Sequence, residues 1–321
     1  MPTGILVPND LEGVPAFARR AEELGYDRVW AAELWGRDAF VSLTAAAETT
    51  NDVGLGTAIA NVYGRSPATL AQAAATLDQV SDGRAALGLG TSTKKAIEDL
   101  HGRPFDRPAR RLHETCELVR AFLADEGRVE YEGELFDVAD FPALGADVPV
   151  YAAALGSATR RAVGRTADGW IPHNIPFQEL PEAFETVAGA AEDAGRDPDS
   201  IAVAPYVPAA VSDDPEEARA QIRRHVAYYV GSGEGYRRAV AATFPAAEDV
   251  AEAWRDGDRD AAKAAVTEDM IEALGVAGTP DTARAQLDAI HEIDVIDEPM
   301  VVIPGGTDED VANRTIEALA P

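Results

Sequence analysis

The segment from Gly156 to Arg160 (GSATR) has the composition of an anion-binding site. It stands where an apolar run passes into a helical pattern. Glycine and hydroxyl residues at such a passage leave backbone N–H groups free at the positive end of a helix dipole, which attracts phosphate. An ordinary helix start has the same composition, so phosphate binding and a plain helix start both remain open.

Two polar side chains stand directly after other apolar runs. Glu33 could act as a general acid or as the carboxylate partner of a cofactor ring, with a surface acid as the alternative. His173 could donate to a substrate or to a phosphate, and the alternative is a structural histidine. Both positions suit a catalytic or ligand-binding role.

Aromatic and basic residues add four further candidates. Trp35 and Tyr63 could stack on a ring or substrate, or could cap the core. Lys94 and Lys95 are two of only three lysines in the chain and follow the apolar run that ends at Gly90. That position could receive a phosphate or a carboxylate.

Several common chemistries are not supported by the sequence. The single cysteine, Cys116, excludes an internal disulfide and a cysteine-based metal cluster. There is no nucleophile elbow and no phosphate loop ending in Lys-Ser/Thr. The five histidines lack metal-ligand spacing: 101, 113, 173, 225 and 291. We therefore expect an organic cofactor and no metal.

Apolar runs alternate with helical patterns along the chain, and these elements must position the candidates. The unit Val53–Ala60, Pro67–Val80, Arg84–Leu89 has the pattern of a strand, a helix and a parallel strand. Eight such runs begin at Gly4, Arg28, Val53, Arg84, Val148, Gly169, Ile201 and Pro299. Eight parallel units predict an α/β fold, the (β/α)8 TIM barrel, with a doubly wound open sheet as the alternative. In a barrel, the candidates fall at the carboxyl ends of the strands.

We expect a single domain spanning 1–321, with two insertions. The alternating pattern near 128–140 predicts a surface hairpin, and prolines 205 and 208 should either bend the run that begins at Ile201 or mark its edge. The stretch near 215–275 is helical and predicts a lid or a dimer contact. A homo-oligomer, a dimer or tetramer, is expected.

The charge is the most unusual feature of the composition. The chain carries 56 acidic and 28 basic residues, a formal net charge of −28. Such charge repels itself unless salt screens it, which predicts a protein from a salt-accumulating halophile. It argues against nucleic-acid or anionic-membrane partners. Without a signal peptide or a membrane-length apolar run, a cytoplasmic protein acting on a small molecule is expected.

Five stretches carry a resemblance to a known family: GILVPND (4–10), AEELGYDRVWAAELWGRDAF (21–40), LGTAIANVYGRSPATLAQAAATLDQVSDGRAALGLG (55–90), VPVYAAALGSATRRAVGRTADGW (148–170) and GTPDTARAQL (278–287). They resemble the luciferase-like flavin and deazaflavin oxidoreductases. Within that family they are most similar to the methylenetetrahydromethanopterin reductases that use coenzyme F420. With the charge, this resemblance suggests a halophilic archaeon as the source.

The resemblance implies a barrel with a deazaflavin at the carboxyl ends of its strands. A non-prolyl cis peptide at Ala58–Ile59 would support the ring, and Leu155, Gly156, Ser157 and Ala158 would hold the phosphate. The ring or substrate would be lined by Glu33, Asn61 and His173, with Glu33 as the catalytic residue. Substrate would lie near Asn9, Trp35, Tyr63 and Lys94.

The chain also departs from the family pattern. Many deazaflavin members have Asp-His where this sequence has Glu33-Leu34, and the reductases have an acid in the first strand that GILVPN lacks. The expected activity is hydride transfer at deazaflavin C5 to or from a small organic substrate, with a methylene-tetrahydropterin or folate C1 carrier as one candidate. The alternatives are an FMN-dependent luciferase-like monooxygenase and a non-catalytic cofactor-binding barrel.

Overall fold

The computed structural model describes residues 1–8, 13–34 and 36–321. The strands in these ranges are β1 (Gly4–Leu6), β2 (Arg28–Ala31), β3 (Gly54–Thr57), β4 (Ala60–Asn61), β5 (Ala85–Gly90), β6 (Arg128–Glu132), β7 (Asp137–Pro142), β8 (Val150–Ala153), β9 (Gly169–Ile171), β10 (Ala202–Val203), β11 (Tyr206–Val211), β12 (Val276–Gly278) and β13 (Met300–Val302).

The α-helices in the same ranges are α1 (Val14–Glu23), α2 (Ala39–Ala47), α3 (Pro67–Ser81), α4 (Pro108–Leu123), α5 (Ser157–Thr166), α6 (Leu180–Asp193), α7 (Pro215–Ser232), α8 (Glu234–Ala241), α9 (Ala247–Arg255), α10 (Arg259–Ala264), α11 (Glu268–Leu274), α12 (Pro280–His291) and α13 (Glu309–Ala318). A π-helical turn covers Ala96–Leu100. No helix among the described residues is long and apolar enough to cross a membrane.

The predicted barrel is confirmed. Its strands are parallel and run in the order β10, β9, β8, β5, β3, β2, β1, β13, β11. Strands β10 and β11 belong to one stretch of chain that is interrupted at Ala204 and Pro205, and together they form one strand of the barrel. Within this stretch β10 pairs with β9 and β11 pairs with β13. The Tyr206 N–H donates to Pro172 O (3.0 Å) and the Met300 N–H to Pro205 O (2.8 Å), which closes the sheet on itself. An open doubly wound sheet is therefore excluded.

The proline-interrupted run thus closes the barrel. Pro205 lies at the break, as its position predicted, whereas Pro208 lies within β11 opposite Val302. The short strand β12, which pairs in parallel with the end of β11, is not among the strands predicted from the sequence. Three residues are too few for a periodicity to be recognised.

The amino-terminal part of the barrel interior is filled by large side chains. The rings of Trp30 and Tyr151 pack edge to face with centroids 5.4 Å apart, and Trp30 Nε1 donates to Glu298 Oε1 at 3.0 Å. A Cβ on Gly4 or Gly56 would lie within 2.6 Å of the Trp30 indole, so both strands need glycine there. Since this part is packed, a ligand site belongs at the carboxyl ends of the strands.

Two segments project from the barrel. Strands β6 and β7 form an antiparallel hairpin, whose turn is held by the Glu114 carboxylate accepting the N–H groups of Glu134 and Leu135, each at 2.9 Å. Helices α7 to α11 form the second segment and bury a cluster of their own against Ala210 and Ala277. Insertions were expected near 128–140 and 215–275, and the division of the chain into one domain with two insertions stays a prediction.

One carboxylate fastens the loop before β3 to α1. Glu22 Oε1 accepts the N–H groups of Asn51, Asp52 and Val53 at 2.8, 2.6 and 3.0 Å. Burial raises the pKa of Glu22, but the three donors outweigh it, so the pKa lies below its ordinary value. A group with a lowered folded-state pKa stabilises the protein above its unfolded-state pKa, and that contribution is lost as the pH falls through the folded-state pKa.

Substitution Glu22→Gln is expected to lower the free energy of unfolding by about 1–2 kcal/mol at pH 7, because hydrogen bonds to a charged group are replaced by weaker ones. The difference from the unmodified protein should be smaller at pH 4 than at pH 7, because it starts to shrink once the pH falls below the unfolded-state pKa of about 4.3. Urea unfolding at pH 7 and pH 4 measures both values. Glu23→Gln, an exposed neighbour on the same helix, is the control and should change neither. Equal effects of the two substitutions at pH 7 would contradict the anchoring role.

Candidate active site

The third strand of the barrel is interrupted at its carboxyl end. Gly56 pairs with Ala86, and Ala60 pairs with Leu89, so β3 and β4 use one residue more than β5 over the same length. This extra residue makes a bulge at Ala58 and Ile59. The peptide bond between them is cis, which confirms the geometry that the resemblance implied.

The bulge is held by its neighbours on several sides. The Ala58 N–H donates to Ala31 O (2.8 Å), and the Glu33 N–H donates to Ile59 O (3.2 Å). The Tyr206 hydroxyl donates to Ala58 O from the opposite part of the barrel. Residues from the second and seventh barrel strands therefore fix one short piece of backbone in the third.

Glycines in β5 give the bulge its space. A Cβ on Gly88 would lie 2.0 Å from Thr57 O, and one on Gly90 would lie 2.7 Å from the Ile59 side chain. The Thr57 hydroxyl also donates to Gly88 O (2.8 Å) and accepts from Gly88 N (2.9 Å). The GLG sequence at the end of β5 is thus required for close packing against the bulge.

Glu33 lies at the end of β2 and forms an ion pair with Arg65, which also pairs with Asp38. The side chains of Glu33 and Arg65 are 10% and 21% exposed. The guanidinium lies over the Phe40 ring, 5.1 Å from its centroid. Burial lowers the pKa of Arg65, but the two carboxylates outweigh it and raise that pKa above its ordinary value. The site therefore holds a fixed carboxylate–guanidinium pair.

Asn61 and Tyr63 support the following loop in this structure. Asn61 is 1% exposed, and its Oδ1 accepts the N–H groups of Tyr63 (3.1 Å) and Gly64 (2.6 Å). Tyr63 is 6% exposed, stacks on Phe105 at 5.5 Å, and donates its hydroxyl to a backbone carbonyl. Their expected contacts with cofactor and substrate stay predictions, and neither ring nor amide presents an exposed face.

The start of α5 is open to solvent. Its N-cap residue, Gly156, provides no side-chain hydrogen bond, and a Cβ there would meet no atom of the described residues within 4 Å. Ser157 and Ala158 are exposed, and the first turn contains no acid. Backbone N–H groups at such a helix end suit an anionic group. Leu155, half-buried, lies beside α8, since a Cβ on Gly235 would be 3.6 Å from Leu155 Cδ1.

His173 belongs to a cluster of rings between the barrel and the helical insertion. Its ring stacks on Tyr206 (4.5 Å) and packs edge-on against Tyr229 (4.5 Å) and Tyr236 (5.1 Å). His225 of α7 lies 5.9 Å from it. Burial lowers the pKa of His173 well below its ordinary value and that of His225 to about 3, so both rings are neutral near pH 7.

Unpartnered polar atoms mark the end of β9. His173 Nε2 and Asn174 Nδ2 are buried and have no hydrogen-bond partner among the described residues. Because buried polar groups are nearly always satisfied, these atoms are suited to a polar ligand or to water. Together with the open start of α5, they fit a cofactor that carries hydrogen-bonding groups and a phosphate. The described part of the chain holds no group of three or more potential metal ligands.

A chain of contacts links five of the residues expected at the site. Glu33 bonds to Ile59, Ala58 bonds to Tyr206, and Tyr206 stacks on His173. His173 then contacts Tyr236, which follows Gly235 beside Leu155. Lys94 is 72% exposed and pairs with Glu98 at 3.8 Å, while Asn9 and Trp35 lie outside the described residues.

Some contacts of the candidate site were not predicted from the sequence. The pairing of Arg65 with Glu33 could have been inferred, since these residues follow adjacent strands of the predicted barrel. The bond from Tyr206 to Ala58 spans 148 residues and has no local signal. The tyrosines of α7 and α8 depend on how the insertion packs, which periodicity does not specify.

Fold and site together define a class of protein. The family model of luciferase-like monooxygenases matches residues 2–295, so the chain belongs to the luciferase-like family.

Particular relatives within that class are similar along almost the whole chain. The 5,10-methylenetetrahydromethanopterin reductase of Methanolobus tindarius is 31% identical and the alignment covers 90% of each chain. The protein of the same name from Methanopyrus kandleri is 32% identical, over 91% of this chain and 89% of that one. The solved structure of the coenzyme F420-dependent tetrahydromethanopterin reductase from Methanopyrus kandleri matches with a TM-score of 0.84 and 28% identity, covering 99% and 97% of the two chains.

Proposed function

We propose that this protein is a coenzyme F420-dependent oxidoreductase that moves a hydride to or from a small organic substrate. The observation that carries the proposal is the similarity along almost the whole chain to methylenetetrahydromethanopterin reductases, together with the structural match to a reductase that is named as coenzyme F420-dependent. The rim of the barrel is consistent with it, because an open helix start and unpartnered polar atoms lie at the strand ends.

The bulge, the start of α5 and His173 would each bind a different part of the cofactor. The bulge at Ala58 and Ile59 would support one face of the ring, since its backbone is held from several sides. Gly156 and Ser157, with Leu155 and Ala158 beside them, would hold the phosphate. His173 would donate or accept a hydrogen bond through its unpartnered Nε2. When bound, the deazaflavin supplies or accepts the hydride at C5, and the protein orients it and excludes water.

The helical insertion would cover the bound substrate. Its α7 and α8 contact His173 and approach Leu155, both at the carboxyl ends of barrel strands. Lys94, Tyr63, Asn9 and Trp35 stay proposals for the substrate side. We favour an electrophilic carbon acceptor, of which a methylene-tetrahydropterin or folate C1 carrier is one example. The homo-oligomer, the cytoplasmic location and the halophilic source also stay predictions.

Turnover with the reduced cofactor tests the proposal. Purified protein in molar KCl, without oxygen, is mixed with reduced F420 and separately with a methylene-tetrahydropterin, a ketone and an aldehyde. We expect the violet absorbance of oxidised F420 to return with at least one acceptor, and no return with protein or acceptor alone. Turnover only with FMN and oxygen would favour the monooxygenase alternative. Tight F420 binding without turnover of any acceptor would favour the non-catalytic barrel.

A further inference from the structure

The ion pair of Glu33 and Arg65 joins two residues whose backbones are both fixed at the carboxyl ends of barrel strands. The backbone N–H of Glu33 donates to Ile59 O in the bulge at 3.2 Å. Arg65 precedes Ser66, whose hydroxyl caps α3 by accepting the Thr69 N–H at 3.2 Å. The two side chains therefore meet from fixed backbone positions on adjacent barrel strands.

A second carboxylate holds the far side of the guanidinium. Asp38 pairs with Arg65 and also caps α2, where its Oδ1 accepts the Val41 N–H at 3.0 Å. Below the guanidinium lies the Phe40 ring. With two carboxylates and an aromatic face around it, Arg65 has little rotational freedom, which makes it a rigid partner for Glu33.

The ion pair decides between the two roles open to Glu33. Glu33 Oε2 accepts a hydrogen bond from the Arg65 guanidinium, which is the geometry of an ionised carboxylate acting as an acceptor. An anionic carboxylate accepts hydrogen bonds from N–H or O–H groups and has no proton to give. Since the Glu33 side chain is still 10% exposed, part of it remains available to a ligand at the rim.

We propose that Arg65 is the positioning residue of Glu33 and that Glu33 contacts the ligand as an anionic hydrogen-bond acceptor rather than as a general acid. The ligand group is an N–H or O–H donor, which either the deazaflavin ring or the substrate could provide. This inference rests on the proposed function.

A double-mutant cycle with a binding readout tests the proposal. The variants are Glu33→Gln, Arg65→Gln, the double variant, Arg65→Lys and Asp38→Asn, which keeps the cap of α2. The control is Arg128→Gln, in the exposed ion pair of the β6–β7 hairpin, which should change none of the readouts. F420 affinity is measured by fluorescence titration, KM and kcat for the acceptor by steady-state assay, and folding by melting temperature. A loss of F420 affinity assigns the donor to the cofactor, whereas a change in KM or kcat alone assigns it to the substrate.

Glu33→Gln is expected to weaken F420 affinity, or to reduce kcat/KM for the acceptor, about 10- to 100-fold. This is the range expected for one hydrogen bond to a charged group. Arg65→Gln should give a similar loss, but less than about 2-fold in the Glu33→Gln background, since it acts through Glu33. Arg65→Lys should restore part of the lost affinity or kcat/KM. Asp38→Asn should reduce the same quantity about 3-fold or less, because the Asp38–Arg65 ion pair is more exposed than the Glu33–Arg65 pair.

Two results would overturn the proposal while leaving the proposed function in place. One is a full additional loss from Arg65→Gln in the Glu33→Gln background, which would mean that Arg65 acts independently. The other is unchanged F420 affinity, KM and kcat in Glu33→Gln. By contrast, unmodified protein that binds no F420 would overturn the proposed function, and the ligand role of Glu33 with it.

Discussion

Substitution Ser157→Asp is expected to weaken F420 binding by at least about 100-fold, because it places a negative charge beside the proposed phosphate site. Ser157 is exposed in the first turn of α5, where the uncapped N–H groups point outward from the helix start. An acid at this position interacts favourably with the helix dipole, so α5 should fold at least as well as before. The measurement is a fluorescence titration at the lowest salt concentration in which the protein stays folded, since salt screens the repulsion.

Two controls separate charge from other effects of that substitution. Ser157→Ala removes the hydroxyl without adding charge and should change the dissociation constant less than about 5-fold, as expected for one exposed neutral hydrogen bond. Ala261→Asp adds the same charge to the first turn of α10 in the helical insertion, where Ala261 is exposed, and should leave affinity unchanged. If Ser157→Asp binds F420 as tightly as the unmodified protein, the phosphate does not lie at α5.

Raising KCl from 0.1 M to 3 M is expected to increase the melting temperature by about 10 °C or more, because the screening length falls from about 10 Å to below about 3 Å. The physical reason is the net charge of −28, whose self-repulsion destabilises the compact state. The measurement is a melting curve followed by circular dichroism at each salt concentration.

The salt experiment requires a control for general stabilisation by solutes. Sucrose stabilises folded proteins by exclusion from their surface and does not screen charge. At matched osmolality it should therefore give a much smaller increase than KCl. A melting temperature that is flat or falls with KCl would remove the interpretation of the composition as an adaptation to salt.

The barrel could be predicted because its strands are short apolar runs in regular alternation with helices. The runs beginning at Gly4 and Arg28 start β1 and β2 at those residues, and the run at Gly169 starts β9. In a parallel barrel both faces of a strand are covered, which gives a continuous apolar run that is easy to recognise. Strand β12 could not be predicted, because Val276–Gly278 is too short to give such an apolar run.

The site was predictable in position and only partly in detail. The rule that barrel sites lie at the carboxyl ends of strands selected Glu33, His173 and the start of α5. What each side chain contacts depends on residues distant in sequence. Asn61 and Tyr63 show this, because the Asn61 amide contacts His101 as well as Tyr63 and Gly64, while the Tyr63 hydroxyl donates to Asp106 O. Residue type and spacing do not determine such pairings.

The most direct test of the account is a titration of the purified protein with oxidised F420 in molar KCl, followed by fluorescence, with FMN titrated in parallel. We expect saturable binding of F420 with one site per chain, and FMN binding at least about 10-fold weaker. Absence of F420 binding under conditions where the protein is folded, or tighter binding of FMN, would contradict the proposed function.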